Sequence, residues 1–231
     1  MKSVFAFVAL VSLLTACGND NAVSDNVVNN NGVNSGDVNS GDEFYGSFVD
    51  ARDGQQYKTV KIGNQVWMAQ NLNYATKNSL CYNSNLSYCS IYGQFYTWDE
   101  ALTACPQGWH LPSKAELNLL IEYAKLRVEQ IVTQKKLDMV PVLDGEDEWL
   151  NHLRDASWDN GINTFGFSAL PVGGYRYESE EPSFYENTAF FWYLTEGSSY
   201  SAFYLDNHGN GGFDDNYGIK PDGSSVRCLK D

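Results

Sequence analysis

The chain has 231 residues and is acidic, with 29 Asp and Glu against 15 Lys and Arg and a formal net charge of −14 at pH 7. This charge argues against nucleic acid as a partner, because nucleic acid affinity depends on basic patches that neutralise phosphates. Without its first 44 residues the chain retains fewer than two hundred, a length that predicts one folded domain.

The N-terminus predicts export. Lys2 precedes an apolar run from Val4 to Leu14, which is shorter than the roughly 20 residues that a membrane-spanning helix needs. This pattern is typical of a signal peptide, assigned here to residues 1–16. The run ends in Leu-Thr-Ala-Cys and resembles the bacterial lipobox, which implies that Cys17 carries the lipid. An ordinary signal peptide that ends beside a cysteine is the alternative.

Residues 17–44 are rich in Asn, Gly, Ser and Asp and are predicted to form a lipidated flexible tether, because they bury too little apolar surface to offset the entropy of ordering. The lipid would make the membrane a partner. Gly18 follows the lipidated cysteine, and by the sorting rule of enteric bacteria it favours the outer membrane. We therefore expect an outer-membrane lipoprotein of the cell envelope, facing either the periplasm or the cell surface.

Four cysteines remain for the folded part, an even number in an oxidising compartment, and this predicts disulfides. Cys81 and Cys89 bracket a short turn-rich segment, which leaves Cys105 to reach Cys228. A zinc site is the alternative, but no two cysteines have the close spacing of a zinc knuckle. The three histidines that could complete such a site stand apart in the sequence: His110, His152 and His208.

The first predicted elements are a β-hairpin and a short helix. Alternating residues from Tyr57 to Ile62, a Gly63-Asn64 turn and a return to Met68 predict the hairpin. The segment TWDEALTAC predicts a helix that Pro106 ends. Ser113 and Glu116 have the spacing of a capping box, which starts a second helix.

The second helix and the later strands complete the predicted fold class. Behind the capping box, apolar residues at helical spacing predict one buried face: Leu117, Leu120, Ile121, Ala124, Val128 and Ile131. After residue 161 the runs AFFWYL, SAFYL and SVRCL predict strands between Gly, Asn and Asp turns. Two early helices followed by antiparallel strands predict an α+β domain.

Four runs carry a family resemblance: DGQQYKTVKIGNQVWMAQNLNY, YGQFYTWDEALTACPQGWHLPSKAEL, FGFSALPVGGYR and SVRCLKD. Together they resemble the Fibrobacter succinogenes major paralogous domain, a bacterial family of exported proteins. The resemblance covers about Phe48 to Asp231, and we assign residues 45–231 to this domain. The charged stretch from Glu122 to Leu150 is longer than the family pattern and is interpreted as an insertion.

A more distant resemblance concerns the scaffold. Trp98, Cys105 and Glu116 have a spacing similar to that of the first helix, strand and second helix in C-type lectin-like domains, where the helix cysteine bridges to the last strand. The run HLPSKAE also resembles formylglycine-generating enzymes, which share that broad fold. The resemblance implies a C-type lectin-like domain clamped by a Cys105–Cys228 disulfide.

The functional residues of these relatives do not carry over. Glu181-Pro182-Ser183 and Trp158-Asp159-Asn160 depart from the two calcium motifs of sugar-binding lectins, and formylglycine generation requires two reactive cysteines. We therefore expect a binding or adhesion module without enzymatic activity, metal or cofactor. An enzyme on the formylglycine-generating fold and a purely structural envelope protein are the alternatives. A calcium site is an alternative at four oxygen-bearing residues: Asp206, Asp214, Asp215 and Asn216.

The ligand surface is predicted in the segment from Trp149 to Asn187, which lacks both strand and helix periodicity and is interpreted as a long loop region. Its rings and guanidinium offer stacking area and hydrogen bonds to a polysaccharide or to another envelope protein. The alternative is that the rings fill the core. The candidate ligand contacts are Tyr175, Arg176, Tyr177 and Tyr185.

Overall fold

The computed structural model describes residues 45–138, 148–178, 181–185, 187–195, 200–215 and 222–231. Its helices are α1 (Leu86–Tyr92), α2 (Trp98–Ala104), α3 (Lys114–Leu137) and α4 (Trp149–Leu153). Its strands are β1 (Tyr45–Val49), β2 (Gln56–Ile62), β3 (Gln65–Met68), β4 (Phe95–Thr97), β5 (Trp109–His110), β6 (Gly174–Glu178), β7 (Glu181–Tyr185), β8 (Thr188–Trp192), β9 (Ala202–Asp206), β10 (Gly211–Asp214), β11 (Gly223–Ser225) and β12 (Leu229–Lys230). The predicted α+β class is confirmed.

Two sheets organise the domain, and the last two strands lie inside them. The first sheet has the order β1-β2-β3-β12-β5, so β12 lies between β3 and β5. The second has the path β10-β9-β8-β11-β6-β7, with β4 also paired to β11. Neighbouring strands are antiparallel except β8 and β11, which are parallel. Both sheets therefore depend on the C-terminal strands for their interior pairing.

The predicted hairpin is confirmed as β2 and β3, with Ile62 opposite Gln65 across the turn. Gly63 has a φ of +59° in this turn, a left-handed conformation that glycine adopts without a Cβ penalty. Along β2, Tyr57 and Thr59 are buried on one face, and Val60 and Ile62 are buried on the other. The period-two pattern therefore predicted the strand, and its two faces contribute to different apolar clusters.

Helix α3 follows the sequence prediction closely. The Ser113 side chain accepts a hydrogen bond from the Glu116 backbone N–H, and the Glu116 carboxylate accepts one from the Ser113 backbone N–H. This capping box satisfies donors that the first helical turn leaves without partners. The predicted apolar face is buried from Leu117 to Val128, and only Ile131 is half-buried. The helix packs this face into the largest apolar cluster, which contains residues of both sheets.

Two disulfides fasten the domain in the pairing expected from the sequence. Cys81 is bonded to Cys89, across a 3-10 turn and α1. Cys105, at the end of α2, is bonded to Cys228, which lies 123 positions later. The second bond fixes the C-terminal segment to the early helix. A second apolar cluster surrounds it, in which Trp98 packs edge-on against Trp192.

Three expectations about elements need correction. The segment from Trp149 to Asn187, interpreted as a long loop, contains α4 and the β6–β7 hairpin. The run SVRCL does not form one strand, because Val226 to Cys228 leave the sheet between β11 and β12. Helices α1 and α4 add to the two that were predicted.

The predicted signal peptide, the predicted lipidation site Cys17 and the predicted tether at 17–44 lie outside the described residues. None of the described helices combines the length and the apolar character needed to cross a membrane.

Candidate functional site

A cleft of about 350 Å³ opens between the first sheet, helix α1 and the loop that follows α4. Polar and apolar groups share its wall about equally, and the charged lining residues Lys58 and Asp155 have opposite signs. The volume lies at the small end of the roughly 300 to 1,000 Å³ of ligand pockets. The amide side chains in the wall are Gln55, Gln70, Asn71, Asn73 and Asn163.

Several of these amides are fixed by internal hydrogen bonds. Gln70 Oε1 accepts from the Lys58 backbone N–H at 2.8 Å. Asn163 Nδ2 donates to Ser168 Oγ at 2.8 Å, while its Oδ1 accepts from the Ser168 backbone N–H at 2.9 Å. Side chains held in this way keep one orientation, so the cleft is preorganised for a partner.

Tyr45 supplies an aromatic ring at the mouth of the cleft. The ring is 62 % exposed although it belongs to strand β1. It lies against Gly166, where a Cβ would come within 2.7 Å of the ring, and Gly166 has a φ of +65°. Only glycine satisfies both the close approach and the left-handed backbone without strain. An exposed ring held in place by glycine offers a flat apolar face beside polar groups.

Asn73 and Tyr57 form the polar end of the cleft. The Asn73 backbone N–H donates to the Tyr57 hydroxyl at 2.9 Å. Burial raises the pKa of Tyr57 to about 12 and outweighs this hydrogen bond, so the phenol stays neutral. Asn73 Oδ1 is buried and has no hydrogen-bond partner in the described part of the chain. An unpaired acceptor of this kind costs about 1 to 3 kcal/mol.

Beneath the cleft, Arg227 connects distant parts of the chain. Its guanidinium is wholly buried and donates to Asn71 Oδ1 at 2.6 Å and to the Met68 carbonyl at 3.2 Å. It also donates to the carbonyls of Phe167 and Ser168. Asn71 in turn donates to the Tyr92 carbonyl and to Ser225 Oγ, which fixes the cleft floor.

The buried guanidinium remains charged at neutral pH. Burial lowers the pKa of Arg227 to about 9, and the nearby Asp155 charge opposes that effect. Its guanidinium carbon lies 4.6 Å from the Phe167 ring centroid and 5.3 Å from that of Phe191, close enough for cation–π attraction. Neutral oxygens and ring faces therefore solvate this cation in place of water.

Residues 60–230 match the family model of the Fibrobacter succinogenes major domain. The chain belongs to this family. None of the curated proteins and none of the solved structures matches it.

The geometry gives the Fibrobacter succinogenes major domain signature a structural meaning. Three of its recognisable runs supply Met68 and Asn71, then Phe167 and Ser168, and finally Arg227. The fourth run joins through the Cys105–Cys228 disulfide beside that arginine. Strand β1, with Tyr45, lies before the matched region, so this domain's cleft gains a ring from outside the family signature.

The ligand contacts predicted from the sequence are not brought together as one exposed surface. The Tyr175 ring is fully buried, packed edge-on against Phe95 and over Gly223, because β6 lies beside β11 in the second sheet. This placement removes Tyr175 from the ligand surface and matches the alternative in which rings fill the core. Arg176 is exposed. The backbones of Tyr177 and Tyr185 belong to β6 and β7, and their side chains lie outside the described residues.

The calcium alternative is not assembled by the described residues. Asp206 and Asp214 lie at opposite ends of the β9–β10 hairpin, because Asp214 pairs with Ala202. The Asp206 carboxylate accepts from the backbone of His208 and Asn210, whereas Asp215 pairs with Lys114 at 2.7 Å. Asn216 lies outside the described residues. No group of three or more metal-ligating side chains occurs within the described ranges.

His110 and His152 lie in different surroundings. His110 bridges two carboxylates, with Nδ1 at 2.7 Å from Asp231 Oδ1 and Nε2 at 3.0 Å from Glu116 Oε1. Burial lowers the pKa of His110, but the hydrogen bonds with Asp231 and Glu116 outweigh it, so the net shift is upward. His152 is buried against Thr164, and burial lowers its pKa.

A second cleft of about 530 Å³ opens beside the N-terminus of α3. The Lys114–Asp215 ion pair lies in its wall, and the Tyr193 hydroxyl donates to the same carboxylate. These groups already satisfy one another. The smaller cleft, which combines five amide side chains with an exposed tyrosine, is the better candidate for ligand binding.

Sequence reasoning missed Arg227 and the cleft amides. A signal for the arginine was present, because a charged residue interrupts the apolar run SVRCL. The repeated asparagines of QNLNY after the predicted hairpin were a signal for the cleft.

Proposed function

We propose that this protein is a binding or adhesion module of the cell envelope, without enzymatic activity, and that its ligand occupies the amide-lined cleft. The ligand class is a polysaccharide, and another envelope protein is the second candidate. The observation that carries the proposal is the cleft itself, whose wall combines fixed amide side chains with an exposed tyrosine.

The proposal includes a C-type lectin-like scaffold. In support, the Cys105–Cys228 disulfide joins the end of an early helix to the segment before the last strand. The proposed anchor is the lipidated Cys17, followed by the tether, in the outer membrane. An anchored module with a rigid cleft would hold a ligand at the envelope while the tether gives it reach.

An enzyme on the formylglycine-generating fold is less well supported. Such chemistry requires reactive cysteines, and the four cysteines in the described ranges are all in disulfides. Arg176 on the β6–β7 hairpin remains a second candidate contact surface, because of the two predicted contacts with described side chains it is the exposed one.

The test uses a substitution that obstructs the cleft, and it does not require the ligand to be known. Ile91 lines the cleft and is 61 % exposed, while Leu102 on α2 is 45 % exposed and does not line it. Both Ile91→Arg and Leu102→Arg replace an exposed aliphatic side chain with a positively charged one. Purified wild-type domain and both variants are applied to a glycan and polysaccharide array and to separated envelope proteins.

We expect Ile91→Arg to abolish binding and Leu102→Arg to retain it. Arg176→Ala is included to test the hairpin surface, and loss of binding by this variant alone would move the site there. If the wild-type domain retains no glycan and no envelope protein, a purely structural role is the better interpretation.

Lipidation has an independent test in whole cells. Labelled palmitate should enter the wild-type protein and not a Cys17→Ala variant. Incorporation into the variant would show that the lipobox assignment is wrong.

A further inference from the structure

We infer that helix α3 is a contact surface between two copies of this chain, with the two α3 helices packed antiparallel about a twofold axis. Three observations carry this inference: a line of exposed leucines, a spacing that matches these leucines across the axis, and a self-complementary order of charges. The surface is separate from the cleft, so it does not depend on the ligand of the cleft.

Helix α3 carries apolar residues on two opposite sides. One side, from Leu117 to Val128, is buried in the core. On the other side Leu119, Leu126 and Leu137 are 57, 54 and 72 % exposed. At about 3.6 residues per turn, the second and third of these leucines return to within about 20° of the direction of the first, so the three form one line. Single exposed leucines are common on protein surfaces, but a line of them along one helix indicates an interaction surface.

The three leucines match one another when a second α3 runs antiparallel to the first. An axis at the level of Val128 lies midway between Leu119 and Leu137. Leu119 is therefore level with Leu137 of the second copy, and the reverse. Leu126 lies about 3 Å from the axis at a rise of about 1.5 Å per residue, so it meets its own counterpart within about 6 Å along the helix. Every leucine of the line thus faces an apolar partner.

The charges beside the leucines are self-complementary in the same register. One flank of the line carries Glu122, Lys125, Glu129 and Lys136, which are all exposed. Because two antiparallel helices present the same flank to each other, the axis at Val128 brings Glu122 close to the level of Lys136 of the second copy. It brings Lys125 equally close to the level of Glu129. Twofold symmetry repeats both contacts, so pairs of opposite charge lie within reach along the whole flank.

The order of these charges favours an antiparallel second copy over other arrangements. A parallel pair would place each glutamate level with its own counterpart, and like charges would meet. A different partner is not needed, because the helix already supplies both halves of the contact.

Two electrostatic effects oppose the association. The formal net charge of −14 repels a second copy, although physiological salt screens this repulsion beyond about 8 Å. Arg127 lies on the other flank near its own counterpart, but its guanidinium donates to Gln130 Oε1 at 2.7 Å within the same helix. Both effects weaken the contact without reversing the pairing of charges on the first flank.

The contact is small, which makes the expected dimer reversible. The 24 residues of α3 span about 36 Å, and one pair of helices of this length buries on the order of 1,000 Å², the low end of specific interfaces. Contacts of this size and polarity are compatible with dissociation constants on the order of 1 μM or weaker. We therefore expect an equilibrium between monomer and dimer.

The experiment is sedimentation equilibrium of the full chain across the micromolar range, in a density-matched non-ionic detergent that disperses the proposed lipid anchor. We compare the wild type with Leu126→Glu, Glu122→Lys, Lys136→Glu and the double variant Glu122→Lys, Lys136→Glu. The control is Leu102→Glu, which changes an exposed leucine of α2 in the same way. Circular dichroism and thermal unfolding show whether each variant is folded.

We expect the wild type to dimerise and Leu126→Glu to weaken the dimer by at least about thirtyfold, because two facing leucines become two facing carboxylates. Each single charge reversal should weaken the dimer about tenfold, because it turns two attractive pairs into repulsive ones. The double reversal should restore the affinity to within about threefold of the wild type, because it exchanges the charges and keeps every pair. Leu102→Glu should dimerise like the wild type.

The remaining outcomes overturn the inference or a stated part of it. A wild type that stays monomeric throughout the micromolar range overturns the contact between copies. A dimer that Leu126→Glu leaves intact overturns the role of α3. A double reversal that stays as weak as the single reversals overturns the antiparallel register. Ligand binding that is lost in Ile91→Arg while the wild type is monomeric leaves the proposed function in place, and this inference alone fails.

Discussion

Arg227 and His110 are both held by oxygen atoms, but water reaches only the second. Arg227 is 1 % exposed and surrounded by carbonyl and amide oxygens that carry no charge. His110 lies near the surface between the carboxylates of Asp231 and Glu116. The buried cation has neutral partners, and the surface cation has charged ones.

This difference indicates that burial, more than the charge of the partner, decides how much a cation contributes to the free energy of unfolding. A surface ion pair contributes about 0 to 1 kcal/mol because water already solvates its members. Water cannot replace the donors of a buried side chain, so each carbonyl that loses such a donor is left without a hydrogen bond. Arg227 should therefore be far more costly to replace, although His110 has the formally stronger partners.

The disulfide beside Arg227 should have the largest effect. Cys105→Ala with Cys228→Ala releases a loop closed over 123 positions, and this should lower the free energy of unfolding by about 4 to 5 kcal/mol in the chain-entropy model. The matched control is Cys81→Ala with Cys89→Ala, which releases a separation of 8 and should cost about 2 to 3 kcal/mol. Urea titration followed by tryptophan fluorescence gives both values, and the reverse order would contradict the loop-length argument.

Arg227→Met tests the buried cation directly. It preserves much of the side-chain volume but leaves oxygens of Met68, Phe167 and Asn71 without their donor. We expect a loss of roughly 3 to 5 kcal/mol in the free energy of unfolding. Arg227→Lys, which keeps the charge with fewer directed donors, should recover less than half of it. A loss below 1 kcal/mol for Arg227→Met would remove the contrast with His110.

Asn71→Ala sharpens the comparison by removing one neutral partner. Asn71 accepts from Arg227 and donates to the Tyr92 carbonyl and to Ser225 Oγ. Loss of these bonds should lower the free energy of unfolding by about 1 to 3 kcal/mol. The double variant Asn71→Ala, Arg227→Met should lower the free energy of unfolding by less than the sum of the two single variants, because both single variants remove the same interaction. Simple additivity would show that the two side chains act independently.

His110→Gln should have the smallest effect, under about 1 kcal/mol, and it should depend on pH. Folding raises the pKa of His110 above 6.5, so its contribution is complete below pH 6.5 and is lost as pH rises through the raised pKa. Folding lowers the pKa of Glu116 below 4.5, so its contribution is lost as pH falls through the lowered pKa.

The cost of His110→Gln should therefore be largest between pH 4.5 and 6.5 and should vanish in alkaline solution. Urea titrations of wild type and variant across this range measure it. A cost that stays constant into alkaline solution would indicate a packing role for the ring instead of a charge interaction.

Local features of this fold were predictable from sequence because their determinants are close together. The capping box of Ser113 and Glu116 spans three positions, and the buried face of α3 follows from helical spacing. The hairpin of β2 and β3 depends on alternation and one glycine turn. The disulfide pairing was predictable because a short loop left one remaining pair.

The candidate site was not predictable in the same way. Arg227 meets Met68 and Asn71 across 159 and 156 positions, and no local pattern encodes such contacts. Tyr175 was expected at the surface because its segment lacks periodicity, yet pairing of β6 with β11 buries its ring. The fold determines which tyrosines are exposed, and among the described side chains Tyr45 on β1 is highly exposed.

The positions of β11 and β12 have a consequence for biogenesis. Both strands come from the last ten residues, yet one lies within each sheet, and the same segment carries Arg227 and Cys228. A nascent chain that lacks this segment cannot complete either sheet, the buried donor set or the longer disulfide. Folding must therefore wait until synthesis of the domain is finished, and its many distant pairings favour slow folding. For the export proposed above, such a delay would keep the polypeptide unfolded, and so competent for translocation, until it has crossed the membrane.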